Sequence, residues 1–385
     1  MTKRFITRSP NQIVALFPAL LSTGGIQEAC RLTATALTDI AEARGWSTHF
    51  LSLNDPLGRQ ALTTTNGTVS FSSFGRAKMR FGLSALACAV GKTRIVLAAH
   101  PNLAPAAAQM KFLHPKLKMV VISHGVDVWE RLPALRRHAL LQSDILLAPS
   151  RYTAEQIVNV QGASRSKTRL IAWPLSPAFL HTAENRNLPV PSAFPKGPVI
   201  LTVARLISAE NYKGVDHLIR AVAELVPKLP GLNLVVVGGG DDLPRHRKLA
   251  AELDIAGQVH FFDILSSAET AACYAHCDVF ALPSTGEGFG FVFLEAMAFA
   301  KPVIGAAAGG VTDIVEDGIS GLLVSPGDVT RLAQALERLL TNDPLRRELG
   351  QRGAEIVRSK HRFDKFRCEI EALLRDCGLE SEPPR

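Results

Sequence analysis

The chain has 385 residues, of which 47% are apolar and 20% charged, enough apolar material for two domains with cores of their own and too much for a disordered or low-complexity protein. Net charge is +8, and the excess belongs to the first half: residues 1–185 carry 21 Lys and Arg against 9 Asp and Glu, the remainder 22 against 26. Such a bias attracts anionic partners such as acidic lipid headgroups or a phosphorylated acceptor, whereas nucleic acid is not expected, because no aromatic platform or recognised binding motif accompanies the charge.

Lys3, Arg4 and Arg8 precede the apolar run 13–21 and superficially imitate a signal peptide. That run is short, contains Pro18 and leads into Gly24-Gly25-Ile26 instead of a small-residue cleavage pattern, so a strand over 12–17 entering a glycine loop is expected. Apolar periodicity through Ile26, Ala29, Cys30, Thr33, Ala36, Leu37 and Ile40 then predicts a helix. Further strands are expected at 48–53, 68–72, 94–99, 119–123, 144–148 and 169–172, with helical stretches between most of them. This alternation predicts a doubly wound parallel sheet, whose ligands sit at the carboxyl ends of the strands. His100, His124 and Ser150 fall at such ends.

Residues 75–94 place Arg76, Lys78, Arg80, Lys92 and Arg94 around Phe81, Leu83, Leu86 and Val90. The pattern fits an amphipathic surface resting on a membrane, and equally a core-facing helix with a solvated basic edge. No apolar stretch approaches the length needed to span a bilayer, so a soluble or peripheral protein is expected. Pro189, Pro191 and Pro195 mark a linker, which divides the chain into a first domain over 1–185, a linker over 186–197 and a second domain over 198–360.

The second domain opens with a strand at 199–203, and Arg205 and Lys213 then bracket a loop before a helix with apolar positions Val215, Leu218, Ile219, Val222 and Leu225. A strand over 232–237 ends in Gly238-Gly239-Gly240-Asp241 without the G-x-G-x-x-G spacing of a dinucleotide fold, and another over 259–262 ends at Asp263-Ile264-Leu265. Six scattered cysteines lack disulfide or zinc spacing and fit a reducing cytoplasm. Cys273, His276 and Cys277 are an incomplete ligand set, better read as core packing, and no metal is expected.

The stretch with most chemistry follows a short strand at 278–282: a glycine-bearing loop over 283–290 opens into a helix, with Glu287 in the loop and Glu295 in the helix. The first turn of such a helix presents unpaired N–H groups, and Gly288 and Gly290 let backbone approach a ligand, which suits a polyhydroxylated, phosphate-bearing molecule. Spacing alone would equally describe two solvated carboxylates and a turn. A further strand is expected at 321–324, then helices, the last amphipathic through Phe366, Ile370, Leu373 and Leu374, and a frayed tail over 380–385.

Glu287-Gly288-Phe289-Gly290, Leu294-Glu295-Ala296, Lys301-Pro302-Val303-Ile304, Ala308-Gly309-Gly310 and the run Asp-Ile-Val-Glu-Asp-Gly at 313–318, taken in this order, closely resemble the signature of retaining glycosyltransferases of family 4, which have the GT-B fold. The resemblance implies two Rossmann-like domains facing across a cleft, with the C-terminal helix, 361–380, packed back on the first domain. It implies Glu295 on the donor ribose, Glu287 with Phe289 and Gly290 on the sugar hydroxyls, Arg205 and Lys213 on the diphosphate, and the nucleobase near Asp263, Ile264 and Leu265. In the first domain it singles out Gly24 and Gly25 for the diphosphate and His124 for the transferred sugar. Trp173-Pro174-Leu175 departs from the Asn-Gly pair of many relatives, and the loop between Arg205 and Lys213 is longer than in many.

The expected function is transfer of a hexose from a GDP- or UDP-linked sugar to a saccharide or lipid-linked acceptor, with retention, without a cofactor or metal, in the cytoplasm or at the inner face of the cell membrane. Similarity to bacterial mannosyl- and glucosyltransferases points to polysaccharide or glycolipid synthesis. The rivals are a nucleotide-sugar epimerase on the same architecture and a catalytically inert nucleotide-sugar-binding subunit.

Overall fold

A computed structural model describes residues 11–64, 67–185 and 188–379. Lys3, Arg4, Arg8 and the tail 380–385 lie outside the described residues. The chain divides into two compact units, Met1–Trp173 with Phe363–Arg385, and Pro174–Arg362.

The first unit is built on strands β1 (Gln12–Phe17), β2 (Ser47–Ser52), β3 (Gly58–Thr64), β4 (Gly67–Ser73), β5 (Thr93–Ala98), β6 (Lys118–Ile122), β7 (Ile145–Ala148) and β8 (Thr168–Leu170). They lie in the order β3-β4-β2-β1-β5-β6-β7-β8, parallel throughout except for β3, which pairs antiparallel with β4. The central strands read as continuous apolar runs because helices cover both faces: Ile13 to Phe17 of β1 and Ile95 to Ala98 of β5 are fully buried. The sequence pattern did not predict β3. It is an edge strand made largely of polar residues, exposed or half-buried along its length, with no apolar face to mark it.

The second unit carries β9 (Val199–Val203), β10 (Asn233–Val237), β11 (Val259–Phe262), β12 (Val279–Leu282), β13 (Val303–Ala306) and β14 (Gly321–Val324), all parallel, in the order β11-β10-β9-β12-β13-β14. The reversal at β9 and β12 brings the loops after these two strands side by side. That is the topological switch point, where open α/β sheets hold their ligands.

Two segments correct the expected division of the chain. Residues 174–184, assigned by sequence to the first domain, lie with the second unit, because Pro177–Glu184 forms a helix whose Phe179 packs edge-on against Tyr274 and Phe299. The expected linker 186–197 is also tied to that unit, through Leu188, whose carbonyl accepts from His276 Nε2 at 3.0 Å, and Phe194, which lies against Phe262. The helix Phe363–Asp376 packs on Gly25–Arg44 in the first unit, with Phe366 5.3 Å from the buried Trp173 and ion pairs Arg44–Glu371 and Arg169–Asp376.

Phe366 is 1% exposed, so Phe366→Ala is expected to cost about 3–5 kcal/mol of unfolding free energy, read from urea denaturation. A loss within the range of surface substitutions, about 0.5 kcal/mol, would show that this helix contributes little to the first unit.

Candidate active site

In the second unit the chain leaves β9 through Ala204 and Arg205, and two backbone hydrogen bonds hold it against the loop after β10: Ala204 N–H to the Val237 carbonyl and Leu206 N–H to that of Gly239, each 3.0 Å. The approach is close enough that a Cβ at Gly238 would lie 2.0 Å from the Ala204 carbonyl oxygen, and one at Gly240 2.0 Å from that of Leu206. The triple glycine is therefore a backbone contact surface that positions Arg205. A Cβ at Gly239 would in turn meet the Asp263 carboxylate, so the segment Asp263-Ile264-Leu265 after β11 is drawn alongside, with Ile264 85% exposed.

The loop between Arg205 and Lys213 forms a 3-10 turn, Ser208–Lys213, pinned at several points. Ser208 donates from N–H and Oγ to Asp241, and Tyr212 accepts from Thr285 N–H at 2.8 Å. A Cβ at Gly286 would fall within 2.3 Å of the Tyr212 ring, so only glycine lets the two loops close on each other. Lys213 then donates to Glu287, with both side chains largely buried. Burial disfavours the ammonium charge, but the Glu287 carboxylate's charge and hydrogen bond outweigh that, so the Lys213 pKa is raised and the cation persists. Arg205, 63% exposed, is paired with Glu210 of the same turn.

The loop 286–290 is buried and backed by Gly309-Gly310, with Gly310 N–H donating to the Glu287 carbonyl at 2.7 Å. Gly290 caps the helix Phe291–Ala298, Gly288 lies against Gly310, and the Phe289 ring packs on Phe291 and His361. Glu295 accepts from the buried Tyr274 hydroxyl at 2.8 Å, which fixes its carboxylate. Arg205, Lys213, Glu287 and the glycine loop are thus brought into one cluster, with Asp263–Leu265 and Glu295 held around it on neighbouring elements.

In the first unit, Gly24 caps the helix Gly25–Arg44 at the carboxyl end of β1. Two residues not singled out in the sequence shape the approach to it. Asp55 accepts from the N–H groups of Leu20 and Leu21 and from Ser52 Oγ, and Arg31 donates to the carbonyls of Leu20 and Ser22. His124 lies at the end of β6, its Nε2–H donating to the Ala99 carbonyl at 2.8 Å, and its ring stacks between His100 and Trp173. Asp127 accepts from the N–H groups of His124 and Gly125. Ser150 caps the helix Arg151–Asn159, a structural role.

Burial sets the protonation of this cluster. It lowers the His100 pKa to about 3, helped by His124 and Arg136, and that of His124 to about 4 against the opposing Ala99 hydrogen bond. It pushes the Asp127 carboxyl up to about 7, against its backbone hydrogen bonds. Among the described residues, no group of three His, Cys, Asp or Glu could hold a metal ion, and Cys273 and Cys277 are buried.

Residues 184–356 match the family model "Glycosyl transferases group 1". Over 294 residues the chain is 30% identical to a GDP-mannose-dependent alpha-(1-6)-phosphatidylinositol monomannoside mannosyltransferase of Mycobacterium tuberculosis, covering 70% of this chain and 74% of that protein. The chain belongs to the group 1 glycosyltransferases. A D-inositol 3-phosphate glycosyltransferase of Stackebrandtia nassauensis is 38% identical over 217 residues, 54% of this chain, which spans only 48% of that relative's length. Among solved structures, Anabaena HepE with UDP superposes with a TM-score of 0.69 at 18% identity, covering 95% of this chain and all of that one. The galactosyltransferase WaaB superposes with a TM-score of 0.70 at 18% identity, over 94% and 99%. At these identities the likeness is one of fold, GT-B.

In this group 1 glycosyltransferase the contacts least visible in sequence are those of Glu210, Tyr212 and Tyr274, each of which acts through tertiary pairing. The Tyr274 signal was present only as one more apolar position in a helix. Glu210 lies within a run of loop polar residues.

Two outcomes follow. The depressed imidazole pKa values mean that the unfolded chain, with histidines near 6.5, binds more protons than the native one between about pH 4 and 6.5. The two rings therefore contribute stability that is complete above that range and lost as pH falls. Asp127, raised, acts oppositely between about 4 and 7, and two rings outweigh one carboxyl, so net stability from this cluster falls on acidification. NMR titration should find neither ring protonated at pH 5, and a midpoint near 6.5 for either would contradict it. Second, replacing Glu210 by Gln frees Arg205. Because the arginine of that pair is exposed and the pair is worth below about 1 kcal/mol, nucleoside diphosphate should bind up to about five-fold tighter in calorimetry, and weaker binding would mean that Glu210 instead orients the arginine.

Proposed function

We propose that the protein is a retaining hexosyltransferase that takes its sugar from a GDP- or UDP-linked donor. The acceptor is a phosphorylated cyclitol or lipid-linked saccharide, as in glycolipid or cell-surface polysaccharide synthesis, and the reaction needs no metal. The observation that carries this reading is the convergence of Arg205 and Lys213 with Glu287 and the glycine loop at the switch point of the second sheet. Two preorganised cations offset the charge that grows on a departing diphosphate, and Glu287 both keeps Lys213 charged and offers acceptor oxygens to sugar hydroxyls. The relatives named for mannosyl and inositol phosphate transfer support the acceptor class.

The protein's part in the chemistry is positioning and electrostatics. In a front-face displacement the leaving phosphate itself accepts the acceptor proton, so no side chain needs to be a nucleophile. Among the described residues no helix is long and apolar enough to cross a membrane, and a lipid-linked acceptor would be met at a peripheral position.

The test is a thermal-shift and turnover screen against UDP-glucose, UDP-galactose, UDP-N-acetylglucosamine and GDP-mannose. One donor at a hundred-fold excess over its Kd should stabilise the protein by about 2.7 kcal/mol, and Arg205→Ala should lose the shift and reduce turnover by about 10²–10³-fold. Activity should survive EDTA. Silence with every donor would favour an inert subunit, and EDTA inactivation reversed by manganese would refute the metal-free reaction.

A further inference from the structure

The first sheet has a switch point of its own, because β1 leads on to β2 on one side and its other neighbour, β5, leads on to β6 on the opposite side. His100 follows β5 at that point, and the loop after β6 brings His124 and Asp127 beside it. His100 caps the turn Pro101–Leu103, its Nδ1 accepting from Asn102 N–H at 3.0 Å. A neutral imidazole that accepts at Nδ1 carries its proton on Nε2. Burial, with His124 and Arg136 near the ring, lowers the His100 pKa to about 3, so this neutral tautomer is the working one. Its Nε2–H donates to nothing among the described residues, yet it is not sealed in the core as the orphaned His114 and His246 nitrogens are.

Opposite that N–H stands Asp127 Oδ2, 3.8 Å away, too far for a direct hydrogen bond. Neither side is free to close the gap. The N–H groups of His124 and Gly125 hold the carboxylate, and the fully buried Gln161 pins the loop beyond it by donating to the Val128 and Glu130 carbonyls. The His100 ring is fixed by its own turn and by stacking on His124, with centroids 5.7 Å apart.

An oxygen about 2.8–3.0 Å from both atoms bridges such a gap. It must accept from Nε2–H and donate to a carboxylate, which a hydroxyl does and an unprotonated phosphate oxygen does not. Burial has pushed the Asp127 carboxyl up to about 7, as befits a carboxylate with too few donors around it. The two side chains are 13% and 9% exposed, so the opening is narrow, and it lies where an open α/β sheet holds its ligand.

We propose that His100 and Asp127 form a two-point seat for one hydroxyl of the acceptor, a ring polyol such as a cyclitol or a pyranoside. The assignment rests on the transfer reading in calling that polyol the acceptor, and the two are tested by different signals.

Imidazole nitrogen resonances of the full chain are followed by NMR during titration with myo-inositol, with methyl α-mannopyranoside and with inorganic phosphate. At least one of the two polyols should move the His100 Nε2 signal saturably, and phosphate should not. Asp127→Asn keeps an oxygen for the backbone N–H groups but turns the other acceptor into a donor, and His100→Phe keeps a ring in the stack without its N–H. Each should weaken polyol binding about five- to ten-fold, read on His100 in the first variant and on His124 in the second. His100→Gln, which restores an N–H donor, should recover part of the loss. An unchanged calorimetric Kd for nucleoside diphosphate would show that the variants are folded. No polyol response at His100 would leave water as the only occupant and overturn the proposal. So would polyol binding of equal strength in wild type and both variants, or an equal shift with phosphate. Saturable polyol binding by a chain that transfers from no nucleotide sugar would strike the transfer reading alone, whereas donor turnover without a His100 response would strike the seat alone.

Discussion

An ammonium group withdrawn from water needs a carboxylate, and the Lys213–Glu287 pair is where that requirement organises the second unit. Lys213 closes the loop after β9 and Glu287 opens the loop after β12, strands adjacent in the sheet although far apart in the chain. Breaking a buried pair from one side costs about 3–5 kcal/mol, so each residue holds the other's loop in place. Everything around the pair follows from keeping those loops closed: Tyr212 folds over Gly286, and Gly310 holds the Glu287 backbone.

The same closeness explains the glycines. Parallel strands whose order reverses at a switch point crowd several loops at one edge, and side chains at Gly238, Gly240 or Gly286 would push them apart. Arg205 reaches the cluster because the backbone beneath it is flush with the loop after β10. Cation placement is thus a property of backbone packing, and Arg205 pairs with Glu210, a carboxylate of its own loop.

The first unit uses burial differently. His100, His124 and Trp173 form a stack, and desolvation keeps both imidazoles neutral. The sequence departure at Trp173 has a structural account here: the indole lies between His124 and Phe366, linking a strand-end histidine to the C-terminal helix of the same unit. Neutral His124 donates Nε2–H to Ala99, which fixes its tautomer and leaves Nδ1 as an acceptor.

The sequence by itself determined the parts written in local periodicity and short-range spacing. Apolar and alternating runs marked twelve of the 14 strands among the described residues; β13 lay unread inside the Lys301-to-Ile304 motif, and the polar edge strand β3 has no buried face to bias its composition. The glycine and glutamate order from 287 to 318 marked the family, because a loop that must approach a ligand and then begin a helix tolerates few residue types. Tertiary structure alone decided which charges meet. Lys213 and Glu287 are separated by 74 positions, Tyr274 and Glu295 by 21, and Phe179 finds Tyr274 from a stretch that reads as the end of the first domain. Side chains at such separations share no period or spacing, and only the folding of the sheet, which sets strand neighbours independently of chain order, brings them within reach.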